Sequence, residues 1–243
     1  MHMLSMPAML TAPARILAVG VLAALALLAA PTVATPAGQI VIFGSHSGST
    51  LTLSTKGGRV VVKGRMARHA PVGCHLTHGH RVAVCPTGGA SEIELEMGPS
   101  GDFVKVANRL PIPLTVHLGA GSDKFVGNAE RDVCYSEGSR RNRCIGGPNN
   151  DACITGNRNS DCVGGPGDDY CHHGDGSDGC WGGPGDDVCI MGAGQDGCHG
   201  GPGNDRLYGG SSPDQLYGGS GADYCNGGPG WGKSHTCDAG PRH

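Results

Sequence analysis

The chain has 243 residues, of which 45 are glycine and 12 are cysteine, and aromatics make up only 4%. So few large side chains rule out a conventional globular core, and cysteines with no C-x-x-C pair give no support to zinc-ribbon or thioredoxin-like chemistry. Net charge is −3, with no basic patch large enough to suggest a nucleic-acid partner.

Residues 1–37 read as a secretory signal peptide. Arg15 closes a weakly basic start, residues 16–30 are apolar, and small residues follow at Thr32-Val33-Ala34 and Thr35-Pro36-Ala37, either of which suits cleavage. The competing reading is a membrane anchor, but the apolar run falls short of the about 20 residues a span needs. The mature protein is therefore expected to be secreted, with no membrane span. Export leads to an oxidising compartment, where the cysteines are expected to form disulfides.

Residues 38–117 form a non-repetitive, β-rich lead-in. The branched-rich runs at 39–43, 50–54, 59–63 and 81–84 are bounded by turn residues and predict strands, and 91–97 alternates in the same way. Cys74 and Cys85 would staple a hairpin. His75, His78 and His80 lie beside them at a spacing that could bring two imidazoles to zinc; the plainer reading is a polar loop tied by the disulfide. Gly44-Ser45-His46-Ser47-Gly48 resembles a nucleophile elbow only superficially, because histidine stands where the serine is needed.

Residues 118–226 repeat one nine-residue phrase. Its clearest copies begin Gly164-Gly165-Pro166-Gly167-Asp168-Asp169, Gly182-Gly183-Pro184-Gly185-Asp186-Asp187 and Gly200-Gly201-Pro202-Gly203-Asn204-Asp205. Each continues with one residue, an apolar or sulfur side chain, and one more, giving G-G-x-G-x-D-x-U-x, a calcium-binding repeat of parallel β-rolls. Units at 118–126 and 127–135 and a degenerate one at 136–145 precede nine in register over 146–226. Gly98-Pro99-Ser100-Gly101-Asp102 is an earlier echo. Strict period argues against disorder. Residues 146–226 hold twelve aspartates against Arg158 and Arg206, a local charge of −10 that divalent cations would relieve.

The glycines permit a tight turn that directs backbone carbonyls inward, and the aspartate adds a carboxylate. Ca2+ takes six to eight such oxygens at roughly 2.3–2.6 Å. The remaining three residues make a short strand whose middle side chain points to the core. These motifs resemble the RTX, or haemolysin-type, calcium-binding repeat proteins. The resemblance implies an all-β, right-handed parallel β-roll in which two units complete one turn and Ca2+ lies between loops of successive turns. Asp151, Asp169, Asp187, Asp205 and Asp223 would then share one edge, with Gly165, Gly167, Gly183, Gly185, Gly201 and Gly203 in its loops. Asp178, Asp196 and Asp214 would share the other, where Asn142 and Ser160 stand in place of aspartate and Thr155, His173 and Met191 in place of the first glycine. Ca2+ is thus expected mainly on the first edge. Asp168, Asp175 and Asp186 are expected in solvent. An N-terminal signal together with cysteine-bearing repeats looks like the calcium-binding proteins exported by actinobacteria, so toxin function is not carried over.

Cys134, Cys144, Cys153, Cys162, Cys171, Cys180, Cys189, Cys198 and Cys225 take the inward strand position, where most RTX rolls place aliphatic residues. Pairing within turns would join Cys134–Cys144, Cys153–Cys162, Cys171–Cys180 and Cys189–Cys198. Pairing along one sheet, as of Cys134 with Cys153, remains open, because neighbouring strands at about 4.8 Å also fall in the disulfide range. Residues 227–243 lose the phase and form a C-terminal cap with a Cys225–Cys237 bridge, which closes the last exposed edge. Trp181, Tyr208, Tyr217 and Tyr224 point outward, as a binding stripe or as shields for backbone. The chain is read as a secreted, non-enzymatic, monomeric calcium-binding protein. The alternatives are a calcium-dependent adhesion module with an unknown protein or surface partner and a hydrolase with an appended repeat. The latter is disfavoured because neither H-E-x-x-H nor G-x-S-x-G occurs.

Overall fold

The computed structural model describes residues 39–67, 74–79, 81–108, 110, 112–128, 130–138, 140–230 and 235–237. The signal-peptide reading, His80 and Trp231 lie outside them. The first coil is β1 (Gln39–Phe43) and β2 (Thr50–Lys56); β3 (Arg59–Gly64), β4 (His75–Thr77) and β5 (Val82–Pro86) then form an antiparallel insertion on β2. Coiling resumes with β6 (Glu92–Glu96) and β7 (Phe103–Val106), β8 (Leu114–His117) and β9 (Lys124–Val126), and β10 (Asp132–Ser136) and β11 (Asn142–Ile145). It runs on through β12 (Ala152–Thr155), β13 (Ser160–Val163), β14 (Tyr170–His172), β15 (Gly179–Trp181), β16 (Val188–Ile190) and β17 (Gly197–Pro202). The last coils are β18 (Arg206–Tyr208), β19 (Gln215–Ser220), β20 (Tyr224–Asn226) and β21 (His235–Thr236). The described residues contain no α-helix, and none of their elements is a helix long and apolar enough to cross a membrane.

Even-numbered strands from β6 onward join β1 in a nine-stranded sheet; the others from β7 onward, with β19 and β21 at its end, build a twelve-stranded one on β2 and the insertion. Beyond the insertion every pairing is parallel. This is the expected all-β parallel β-roll. Pairing passes without a break from β6 through β8 to β10, so lead-in and repeat strands belong to one stack. The register explains why a glycine-rich chain can be this regular. The inner repeat strands pair with the coils above and below, and the carbonyls of Gly182 and Pro184 accept N–H groups of Gly165 and Gly167 in the adjoining coil.

The core is a pair of facing columns. On one sheet Ile42, Leu95, Val116, Cys134, Cys153, Cys171, Cys189 and Leu207 lie in register. Leu51, Val104, Phe125, Cys144, Cys162, Cys180, Cys198 and Leu216 do the same on the other. All are buried. Within-turn disulfides join Cys134–Cys144 and Cys189–Cys198, with Cα–Cα separations of 6.4 and 6.7 Å. Cys74–Cys85 ties β5 to the start of β4, and Cys225–Cys237 ties the last coil to the cap. Cys153, Cys162, Cys171 and Cys180 are buried thiols, so the within-turn pairing read from the sequence is present at the two ends of the column and not in its middle. Burial pushes the Cys153, Cys162 and Cys171 thiols above their usual range, which keeps them protonated.

Candidate metal-binding edges

The repeat loops place their sixth residues one above another on two edges. On the first, the backbone N–H of Asp151 donates to Asp169 Oδ1 at 2.7 Å, that of Asp169 to Asp187 at 2.7 Å, that of Asp187 to Asp205 at 2.8 Å and that of Asp205 to Asp223 at 3.0 Å. On the second, Ser160 N–H donates to Asp178 Oδ1 at 2.6 Å, Asp178 to Asp196 at 2.8 Å and Asp196 to Asp214 at 3.1 Å. Every step spans 18 residues, two units per coil. All eight aspartates proposed from the sequence are thus gathered on two ladders.

Oδ1 is the engaged oxygen at each of these rungs. Oδ2 of Asp151, Asp169, Asp187, Asp205, Asp223, Asp178 and Asp196 is buried and accepts no hydrogen bond. A buried carboxylate oxygen without a partner is costly, and so many of them aligned on two edges form a donor set that suits a hard cation. Burial, the largest cause, pushes Asp151 and Asp187 up to about 8, Asp169 to about 7, and Asp178, Asp196 and Asp205 to about 6. Backbone N–H bonds oppose this, while neighbouring rungs add to it for Asp151, Asp187, Asp196 and Asp205.

The glycines make room for the ladder. At Gly183, φ is +121° and a Cβ would collide with the carbonyl oxygen of Gly165; at Gly185, φ is +143° and a Cβ would collide with that of Gly167. The first glycine of a unit serves differently, because a Cβ on Gly164, Gly182 or Gly200 would occupy the position of its own unit's Asp Oδ2. On the second edge that space is filled at one coil by His173. Its side chain is fully buried, with Nδ1 2.8 Å from Thr155 Oγ1 and 4.0 Å from Asp178 Oδ1. Met191 is buried at the same place one coil on.

The ladders extend further than the sequence-derived site. Asp132 N–H donates to Asp151 Oδ1, adding a rung below the first edge, and Asp102 N–H donates to Asp123 Oδ1 and Asp123 N–H to Asn142 Oδ1 below the second. Oδ2 of Asp102 and Asp123 is buried without a partner. The signal was present in the sequence, since Asp102 closes the echo at 98–102 and Asp123 and Asp132 are in phase. The irregular spacings, 21 and 19 residues in place of 18, masked it. A third, exposed ladder was not legible at all: Asp168 N–H donates to Asn150 Oδ1, Asp186 to Asp168 and Asn204 to Asp186. Asp168 and Asp186 are therefore hydrogen-bonded at the rim of the loops. Asp161 lies off both ladders, paired with Arg141 at 2.9 Å. His75 and His78 belong to β4 and its turn and join no three-ligand group among the described residues. Of the outward aromatics, Trp181 stacks on His199, which stacks on Tyr217.

Comparison with protein families matches residues 163–180 and 199–230 to the RTX calcium-binding nonapeptide repeat, in four copies. No curated protein and no solved structure matches the chain. The match takes in the loops of Asp169, Asp178, Asp205, Asp214 and Asp223, and the fold and the spacing of the rungs agree with it. The chain carries RTX calcium-binding nonapeptide repeats folded as a parallel β-roll, and Ca2+ is their ligand.

Proposed function

We propose that this is a secreted, non-enzymatic calcium-binding protein whose roll is ordered by Ca2+ held between loops of successive coils. The observation that carries this reading is the row of buried, unpartnered Oδ2 atoms on the first edge, from Asp151 to Asp223. Each ion takes carboxylates from two rungs, and loop carbonyls around Gly165, Gly167, Gly183, Gly185, Gly201 and Gly203 complete the shell. The first edge holds one ion between each successive pair of its rungs. The second holds fewer, around Asp178, Asp196 and Asp214, because Asn142 and Ser160 bring no charge and His173 fills the cradle beside Asp178. Extracellular calcium modules work at about 10⁻⁴–10⁻³ M, so the roll closes after export.

The four central thiols close across the core in the exported protein, as Cys153–Cys162 and Cys171–Cys180. Parallel in-register strands set their Cβ atoms about 4.8 Å apart, wider than the roughly 3.5–4.5 Å a disulfide needs, which disfavours bonding along a sheet. The cross-core pairs at both ends of the same columns are already bonded. Each closure passes two electrons and two protons to the disulfide of an exported thiol oxidase.

Calorimetric titration of the oxidised mature protein with Ca2+ tests the site. Asp187→Ala, which removes a rung shared by two ions, is expected to weaken both, while Asp161→Ala leaves the titration as in the wild type. Equal effects of the two substitutions would overturn the assignment.

A further inference from the structure

A separate group of ligating side chains lies on the outer face of the lead-in, away from both ladders. Glu94 and Glu96 are two residues apart on β6, so strand periodicity puts both on the same face. His117 on the neighbouring strand β8 pairs in register with Glu96. One atom from each of the three lies within 4.8 Å of the other two, and His117 Nε2 is 3.5 Å from Glu94 Oε1.

Both kinds of ligand are braced from outside. Gln39 Nε2 donates to Glu94 Oε2 at 2.7 Å, turning Oε1 toward the imidazole. The His117 ring lies flat on Tyr135, 4.8 Å between centroids and 7° from parallel. Such outer contacts fix ligand orientation in metal sites. Among the described residues no lysine or arginine forms an ion pair with Glu94 or Glu96. The His117 and Glu94 side chains are 35% and 23% exposed, which leaves one side open to water.

We propose that Glu94, Glu96 and His117 bind one borderline divalent cation of the Zn2+ class, independently of the calcium ladders. An imidazole nitrogen favours Zn2+ over Ca2+, and three protein ligands with an open side leave a position for water.

The test is titration of the oxidised, calcium-saturated full-length mature protein with Zn2+, and in parallel with Co2+ as a spectroscopic stand-in. One equivalent of Zn2+ is expected, together with visible Co2+ bands of a nitrogen and oxygen ligand set that lack thiolate charge transfer. His117→Gln and Glu96→Gln should each weaken Zn2+ at least tenfold, while Ca2+ uptake and far-ultraviolet circular dichroism stay unchanged. Failure of the wild type to take up Zn2+, unaltered Zn2+ affinity in a folded His117→Gln protein, or a thiolate band that places the ion among the core cysteines would each overturn the proposal.

Discussion

Before residue 118 the coils bury two aliphatic rows on the nine-stranded sheet. Ile42, Leu95 and Val116 form one, and Ile40, Ile93 and Leu114 the other. In the next coil Cys134 continues the first row and Asp132 the second. The same register position thus changes from leucine to buried carboxylate, and its neighbour from valine to sulfur. The lead-in coils are closed by apolar burial, at roughly 25 cal/mol per Å². The repeat coils have given up much of that burial for buried carboxylates and sulfur, and on the proposed reading a cation and covalent bonds make up the difference. On that reading one backbone scheme supports two modes of cohesion, one indifferent to calcium and one conditional on it.

Removing both conditional elements should have the largest effect. With calcium chelated and the disulfides reduced, amide hydrogen exchange is expected to open the strands from β12 to β20, while β1, β2, β6 and β7 remain protected. With chelation alone and the bridges intact, the repeat strands should loosen without complete exchange, because disulfides restrict the unfolded chain whether or not the metal is bound. Equal exchange in the two regions would erase the distinction between them.

The converse break is made in the lead-in. Leu95 is fully buried, and Leu95→Ala should cost about 2–5 kcal/mol, with the same penalty in calcium and in chelator when followed by denaturant unfolding. A penalty present only in chelator would show that the lead-in also relies on the metal.

Acidity sharpens the comparison more gently. Burial pushes the carboxyls of Asp151, Asp169, Asp178, Asp187, Asp196 and Asp205 up to about 6 to 8, above the ordinary 3.8. In the calcium-free roll the folded chain then holds more protons than the unfolded chain between those limits. Its stability is greatest below about pH 4 and falls as pH rises through about 6 to 8. Calcium needs the ionised carboxylates, so its affinity rises across the same window. Thermal melts from pH 5 to 8 should thus move downward in chelator and not in saturating calcium. A downward shift of equal size in both would contradict the assignment of these carboxylates to the metal.

The smallest effect belongs to the outer face. Asp161→Ala removes the pair with the exposed Arg141 and one charge near Asp178, and stability should change by no more than about 1 kcal/mol.

Much of this was legible from residue spacing. The nine-residue period gave the inward cysteines, the resemblance to RTX repeats implied the two aspartate edges, and the β-branched runs gave β1, β2, β3, β5 and β6 to within a few residues. Within the lead-in, strands β4, β7 and β8 were missed. His75–Thr77 is too short for an alternating pattern, and Phe103–Val106 follows a repeat-like loop whose phase is broken by the 21-residue coil. For the same reason Asp102 was read as an echo, and Asp123 and Asp132 as members of early repeat units, without being placed as rungs. The pairing of Glu94 and Glu96 with His117 had no local signature, because it depends on the register of two strands joined by an intervening coil. Outer hydrogen bonds such as Asp186 to Asp168 also exist only once coils are stacked.

Mass spectrometry under native conditions addresses the stacked carboxylates most directly, applied to the oxidised mature protein at millimolar calcium. Several Ca2+ ions should be retained, with fewer in Asp187→Ala and the full number in Asp161→Ala. A wild-type spectrum carrying no calcium would contradict a roll held together through its buried aspartates.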